Sequence, residues 1–166
     1  MLRHAFALLN RLLPVEDGSA HCDVPCGIYD PHYALVGALT VVRMNQLIAA
    51  LEPPAMEKAA RDDYMHKLAR YTATKEHHAE LVKHEVRIIT GDFFKADNTP
   101  ADLFPLVNDI MKTASAARQN IDLAAAEKLL DLVNQYAEAF WKAKGVDTKR
   151  QPSNQAAGGE FVVPAN

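Results

Sequence analysis

Cysteine is scarce in this chain: Cys22 and Cys26 are the only two in 166 residues. So few thiols exclude a disulfide-stapled scaffold. Basic blocks are missing as well. Lysine and arginine are scattered, the net charge is a mild -3, and no run of five or more basic residues occurs, which argues against nucleic acid as a partner. No apolar run approaches the roughly 20 residues that a membrane span needs. Strand signals are equally sparse. No stretch alternates apolar with polar residues between regularly spaced turns, so nothing argues for a sheet. No internal repeat is evident.

What is present is helical periodicity. Pro31 suits the first turn of a helix, with Asp30 as its cap, and Leu35, Leu39, Val42, Gln46 and Ala49 follow at helical spacing. Pro53 and Pro54 end that stretch. A second helix is predicted from about Ala55 to Ile88, with Tyr64, Leu68, Tyr71, His78, Val82 and Val86 three or four apart and Gly91-Asp92 as its break. A third begins near Pro100 or Ala101, with Thr99 as its cap, and carries Leu103, Leu106, Val107, Ile110, Met111 and Ala114. A fourth spans about Asp122 to Lys144, with Leu123, Ala126, Leu130, Val133, Ala137 and Phe140 on one stripe and Gly145 as its stop. Four amphipathic helices with short connections predict an all-α protein, an antiparallel four-helix bundle over residues 31–145. The tail, residues 146–166, is rich in Pro, Gly, Ala, Ser and Asn. It is expected to be loosely ordered unless Phe161-Val162-Val163 docks on a neighbour.

The chemistry concentrates before the first helix. The segment His21-Cys22-Asp23-Val24-Pro25-Cys26 holds both cysteines, with a histidine beside the first and a proline before the second. Two thiolates at this spacing can reach one small ion, and thiolates favour nickel, copper(I) or zinc. A simple disulfide is the other outcome. Pro25 fixes its own φ and biases Val24 away from helix, while Gly27 permits a sharp bend. A structural zinc site would want two more ligands a dozen or so residues away, and no further cysteine exists. Residues 1–20 are basic and apolar, then small and polar, in the manner of a processing segment. Asn10 and Arg11 interrupt the apolar stretch, so the pattern is not that of a secretory signal. Cleavage after Ala20 would give His21 a free amine. That amine, the Cys22 amide and the Cys22 and Cys26 sulfurs would make a planar set of two nitrogens and two sulfurs, with the His21 ring able to reach an axial position. Tetragonal sets suit copper(II) or nickel(II). Nickel is the better match, because copper(II) tends to oxidise paired thiolates.

On these residues the chain resembles the nickel-containing superoxide dismutases. His21 through Asp30, HCDVPCGIYD, is similar to that family's irregular nickel-binding hook. Ala79 to His84, Gly91 to Lys95, Leu106 to Asp109 and Phe140-Trp141 resemble its later helices, and the likeness covers about residues 21–145. The resemblance implies a leader, residues 1–20, removed by a processing protease. It implies one nickel ion per subunit, held by His21 (amine and imidazole), Cys22 (amide and thiolate) and Cys26 (thiolate), with Pro25 held cis. Tyr29 is implied to orient small anions and water near the vacant axial face, so His21 and Tyr29 are the implied catalytic residues. A homohexamer with hooks near its interfaces is implied too. Three positions depart from the family pattern. Gly37 and His78 stand where several members carry a glutamate and an arginine that tie down the axial imidazole, and Phe93 replaces a tyrosine. Such changes around a metal's ligands commonly alter affinity or activity about 10 to 100-fold.

The implied activity converts superoxide and protons to dioxygen and hydrogen peroxide by Ni(III)/Ni(II) cycling. The alternatives are a nickel-binding protein and a structural helical bundle without dismutase activity. A net charge of -3 does not attract an anion, so steering must come from local lysines, with Lys83 and Lys95 as candidates. His78 or His77 is expected to stand in for the missing arginine beside His21. Lost volume at Gly37 is expected to admit water or a neighbouring side chain. Free thiolates suit a reducing interior, so the expected compartment is the cytoplasm.

Overall fold

The structure is a computed structural model that describes residues 27–165. The leader, His21, Cys22, Pro25 and Cys26 lie outside the described residues. Four helices follow the hook's last residues: α1 (His32–Ala49), α2 (Lys58–Asp92), α3 (Leu103–Gln119) and α4 (Leu123–Ala143). Two strands complete the described chain, β1 (Thr148–Pro152) and β2 (Glu160–Pro164).

Cross-helix contacts give the directions. Between α2 and α3, Lys75 meets Asn120, Glu80 meets Arg118 and Lys83 meets Ser115. One number rises as the other falls, so these helices run antiparallel. The α1–α4 pair does the same: the Asp122 N–H donates to Asn45 Oδ1 at the start of α4. The result is an up-down-up-down bundle, as the periodicity predicts. Its core is built from Ala34, Leu35, Ala38, Val41, Val82, Val86, Leu103, Ile110, Leu129, Val133, Tyr136 and Phe140, all essentially inaccessible. The Tyr136 hydroxyl is paired inside that core, 3.0 Å from Thr90 Oγ1. Burial pushes its phenol well above the usual range.

The helix ends differ from expectation in detail. The helix α2 runs through Gly91 to Asp92 rather than stopping before it, since one exposed glycine costs only about 1 kcal/mol against alanine. Thr99 does not cap α3. Its hydroxyl donates to the Lys95 carbonyl within the preceding turn. Asp122 does cap α4, accepting from the Ala125 N–H at 2.9 Å.

The tail corrects the sequence reading. It is not loosely ordered and it does form strands. Strands β1 and β2 pair antiparallel, with Arg150 opposite Val162 and Gln151 opposite Phe161. Phe161 and Val162 are buried against the chain's own bundle. Asn134 of α4 fixes the hairpin: its Nδ2 donates to the Glu160 carbonyl at 3.0 Å, and its Oδ1 accepts the Val162 N–H at 2.8 Å. Arg150 reaches back to Asp131 and Glu138 at 2.7 and 2.8 Å.

Candidate metal centre

Residues 27–31 lead into the bundle, and Gly27, Asp30 and Pro31 each have a local reason for their conformation. Gly27 sits at φ +70, in the left-handed region that other residues enter only with strain. A Cβ there would meet nothing within 4 Å, so the requirement for glycine is conformational rather than steric. Asp30 Oδ1 accepts the His32 N–H at 2.8 Å, and the Pro31 carbonyl accepts from Leu35 at 3.1 Å. Pro31 itself is fully buried. The chain entering α1 is thereby pinned immediately after the cysteine segment.

Tyr29 is half-buried, and its ring lies 6.2 Å from that of Phe93, tilted by 55°. A small cleft of about 80 Å³ opens beside it, lined by Ile28, Tyr29, Asp30, Tyr33, Glu85 and Ile89. Phe93 in turn packs on Phe94 at 5.0 Å and Phe140 at 4.6 Å. Trp141 lies edge-on to Phe140 at 5.1 Å. One aromatic cluster therefore joins the hook's end, the turn after α2 and the last turns of α4.

The ammonium of Lys144 caps this cluster. Its Nζ lies 5.0 Å from the Phe140 ring centre, 5.5 Å from Trp141 and 5.9 Å from Phe93, distances typical of cation–π attraction. Sequence reasoning did not single out Lys144. The signal was present, because Phe140 and Trp141 precede it by four and three residues, which on a helix is one face.

The other predicted residues divide. Lys83 is committed elsewhere, to Glu80 at 3.7 Å and Ser115 at 3.4 Å. It also stands ten residues before Phe93, about 15 Å back along the helix. Lys95 is exposed in the turn after α2. The two departures on α1 and α2 turn out to face each other: a Cβ on Gly37 would lie 3.4 Å from the His78 carbonyl and 3.0 Å from Val82 Cγ2. The absent side chain at Gly37 thus leaves space filled by Val82. His78 Nδ1 lies 2.8 Å from the Thr74 carbonyl. A carbonyl only accepts, so Nδ1 carries the proton, and Nε2 of a neutral ring is an acceptor. Among the described residues, no group of three or more His, Cys, Asp or Glu side chains could hold a metal ion. The donor set expected of a chain cut before His21, an amine, an amide and two thiolates, would suit a thiolate-tolerant ion such as nickel.

Known proteins are similar over the bundle and the hook. The family model described as nickel-containing superoxide dismutase matches residues 16–144. The superoxide dismutase [Ni] of Streptomyces coelicolor is 39% identical over 140 residues, covering 82% of this chain and 98% of the relative. That of Streptomyces seoulensis is 37% identical with the same coverage. Among solved structures, a native nickel superoxide dismutase is 36% identical at a TM-score of 0.64, covering 75% of this chain and 99% of its own. A second, with nickel ligation corresponding to the oxidised state, is 35% identical at a TM-score of 0.65, with the same coverage. The family match ends at residue 144, before the hairpin begins.

Proposed function

The chain belongs to the nickel-containing superoxide dismutases, and from that premise we propose that His21, Cys22 and Cys26 hold its nickel ion, with His21 and Tyr29 serving the reaction. The activity is the conversion of two superoxide anions and two protons to dioxygen and hydrogen peroxide. The single observation that carries the reading is a family match that spans residues 16–144 and so includes the hook.

When bound, nickel supplies a one-electron couple that anionic thiolates and a deprotonated amide bring within reach. The chain's own residues do the rest. The His21 amine and imidazole, the Cys22 amide and sulfur, and the Cys26 sulfur would hold the ion. Tyr29, held by Phe93 at the hook's base, orients the small anion and water and passes protons without acting as a ligand. His78 Nε2, left as an acceptor by the bond to Thr74, steadies the His21 ring in place of the family's arginine. If His78→Ala leaves the spectrum of the nickel-loaded protein and its rate unchanged, that last role is wrong.

The amine donor exists only after cleavage between Ala20 and His21, so a processing protease is a required partner. The assembly is a homohexamer with one nickel per subunit. No described helix is long and apolar enough to cross a membrane. The compartment is the cytoplasm, where thiolates stay reduced.

Three measurements on one purified sample test the reading: intact mass, nickel per chain and superoxide turnover. A chain beginning at His21, one nickel per chain and turnover support it. Nickel without turnover would make the protein a metal binder. An uncut, metal-free chain that stays inactive after trimming to His21 and nickel loading would overturn the reading altogether.

A further inference from the structure

We propose that Lys144 is the cation that draws superoxide to the Tyr29 end of the bundle, a role that rests on the dismutase reading above. The substrate is an anion and the chain carries a net charge of -3, so the protein's overall field repels it. Carboxylates also crowd the place where substrate must arrive: Asp30 and Glu85 line the cleft beside Tyr29, and Asp92 closes α2 one residue before Phe93. A local positive charge has to outweigh them.

Several cations of the described chain are already spent on carboxylates. Lys58, Lys67, Lys83, Arg87, Arg118 and Arg150 all sit in ion pairs. Lys144 forms none with any described residue, and it is exposed. Its ammonium is instead held over Phe93, Phe140 and Trp141. Aromatic faces fix a cation's position without cancelling its charge as a carboxylate would. Phe93 is the ring that Tyr29 packs against, so the free charge stands one ring away from the tyrosine. The two ring distances, 5.9 and 6.2 Å, keep that separation within about 12 Å, near the Debye length of about 8–10 Å at physiological salt, where a fixed charge still biases the approach of a small ion. Lys95 shares the same end of the bundle, but nothing comparable holds its ammonium.

The competing role is structural. Lys144 is the C-cap of α4, and a cation there complements the helix dipole. The experiment separates the two on nickel-loaded, processed enzyme. Second-order rates for superoxide are measured from low to high ionic strength in Lys144→Met, Lys144→Arg and, as a charge-matched control, Lys142→Met. Nickel content and thermal midpoint are recorded for each. Steering predicts that Lys144→Met loses about two- to five-fold in rate at low salt, with a flatter salt dependence and unchanged nickel content. Lys144→Arg keeps both rate and slope, and Lys142→Met behaves as the parent. The proposal is overturned if Lys144→Met and Lys142→Met show the same rate and slope, whatever the thermal midpoint, or if the lost rate follows lost nickel. A parent enzyme with no turnover would reject the dismutase reading before Lys144 came into question.

Discussion

Two glycines matter for opposite reasons, and each yields a test. Gly27 has open space around it but an unfavourable φ of +70. An L-residue held in that region costs about 1–2 kcal/mol. Gly27→Ala should leave the thermal midpoint of the bundle within a degree or two, because no core contact changes. Nickel affinity in competition with a chelator should fall about 5- to 30-fold, the same free energy expressed at the hook. An unchanged affinity would mean that the hook does not depend on that turn. Gly37 has an ordinary backbone and no room: its missing Cβ sits 3.0 Å from Val82 Cγ2. Gly37→Val should destabilise by about 1–3 kcal/mol, as overpacking does, and Val82→Ala in the same chain should recover part of it. Double-mutant thermal unfolding reads the recovery. The sequence marked Gly37 as a departure from the family, yet it could not say that Val82 fills the space, because that contact crosses two helices. The proposal of Cys22 and Cys26 as donors needs no such contact, because their spacing is written in the chain itself, whereas the proposed role of Tyr29 comes from the family resemblance.

The helices were legible as elements, and the hairpin was not. Helical stripes such as Leu123, Ala126, Leu130 and Val133 repeat over several turns, and α4 follows them. Strand β1 reads Thr148-Lys149-Arg150-Gln151-Pro152, with no large apolar residue, and four of its five positions are exposed. Alternation cannot reveal a strand that buries nothing. Its fold comes from β2, whose Phe161 and Val162 dock on the bundle, and from distant polar partners on α4. Asn134→Ala removes the bonds to Glu160 and Val162 and strands buried backbone groups. A cost of about 1–3 kcal/mol is expected, with hydrogen exchange at the Val162 amide accelerating far more than exchange in α2. Acid should loosen the same attachment. The hydrogen bond from Arg150 holds Asp131 below the usual carboxylate range, against the opposing effect of partial burial. A carboxylate whose pKa is depressed in the folded state stabilises above its unfolded value, and that stabilisation is lost as pH falls through the folded value. Exchange at Val162 should therefore rise below about pH 4. In Asp131→Asn this acid-dependent increment should shrink.

At the scale of the whole molecule, core and chemistry are separate. Among the described residues the buried cluster runs from Ala34 to Val162, all of it after the proposed hook. Helix α2 is 35 residues long against 17 to 21 for the other three, and its first buried residue is Lys75. Its leading turns carry Tyr64 and Tyr71 only half-buried and Met65 exposed. The sequence places Tyr64 and Tyr71 on the helix's periodic stripe, and within one chain they are not part of the core. On the proposed ligand set, the peptide bond between Ala20 and His21 controls metal binding rather than the packing of this core. A chain processed to leave one extra glycine before His21 should therefore fold normally, with a thermal midpoint within a degree or two of the mature form. Its amine would lie three atoms further along the backbone, and the His21 nitrogen would be an amide. The proposed donor set of an amine, an amide and two thiolates would then lose its amine. Such a chain should show no nickel retained through chelator dialysis and no superoxide turnover, with both Cys22 and Cys26 intact by mass. Retained nickel with turnover would show that the free amine of His21 is not a ligand.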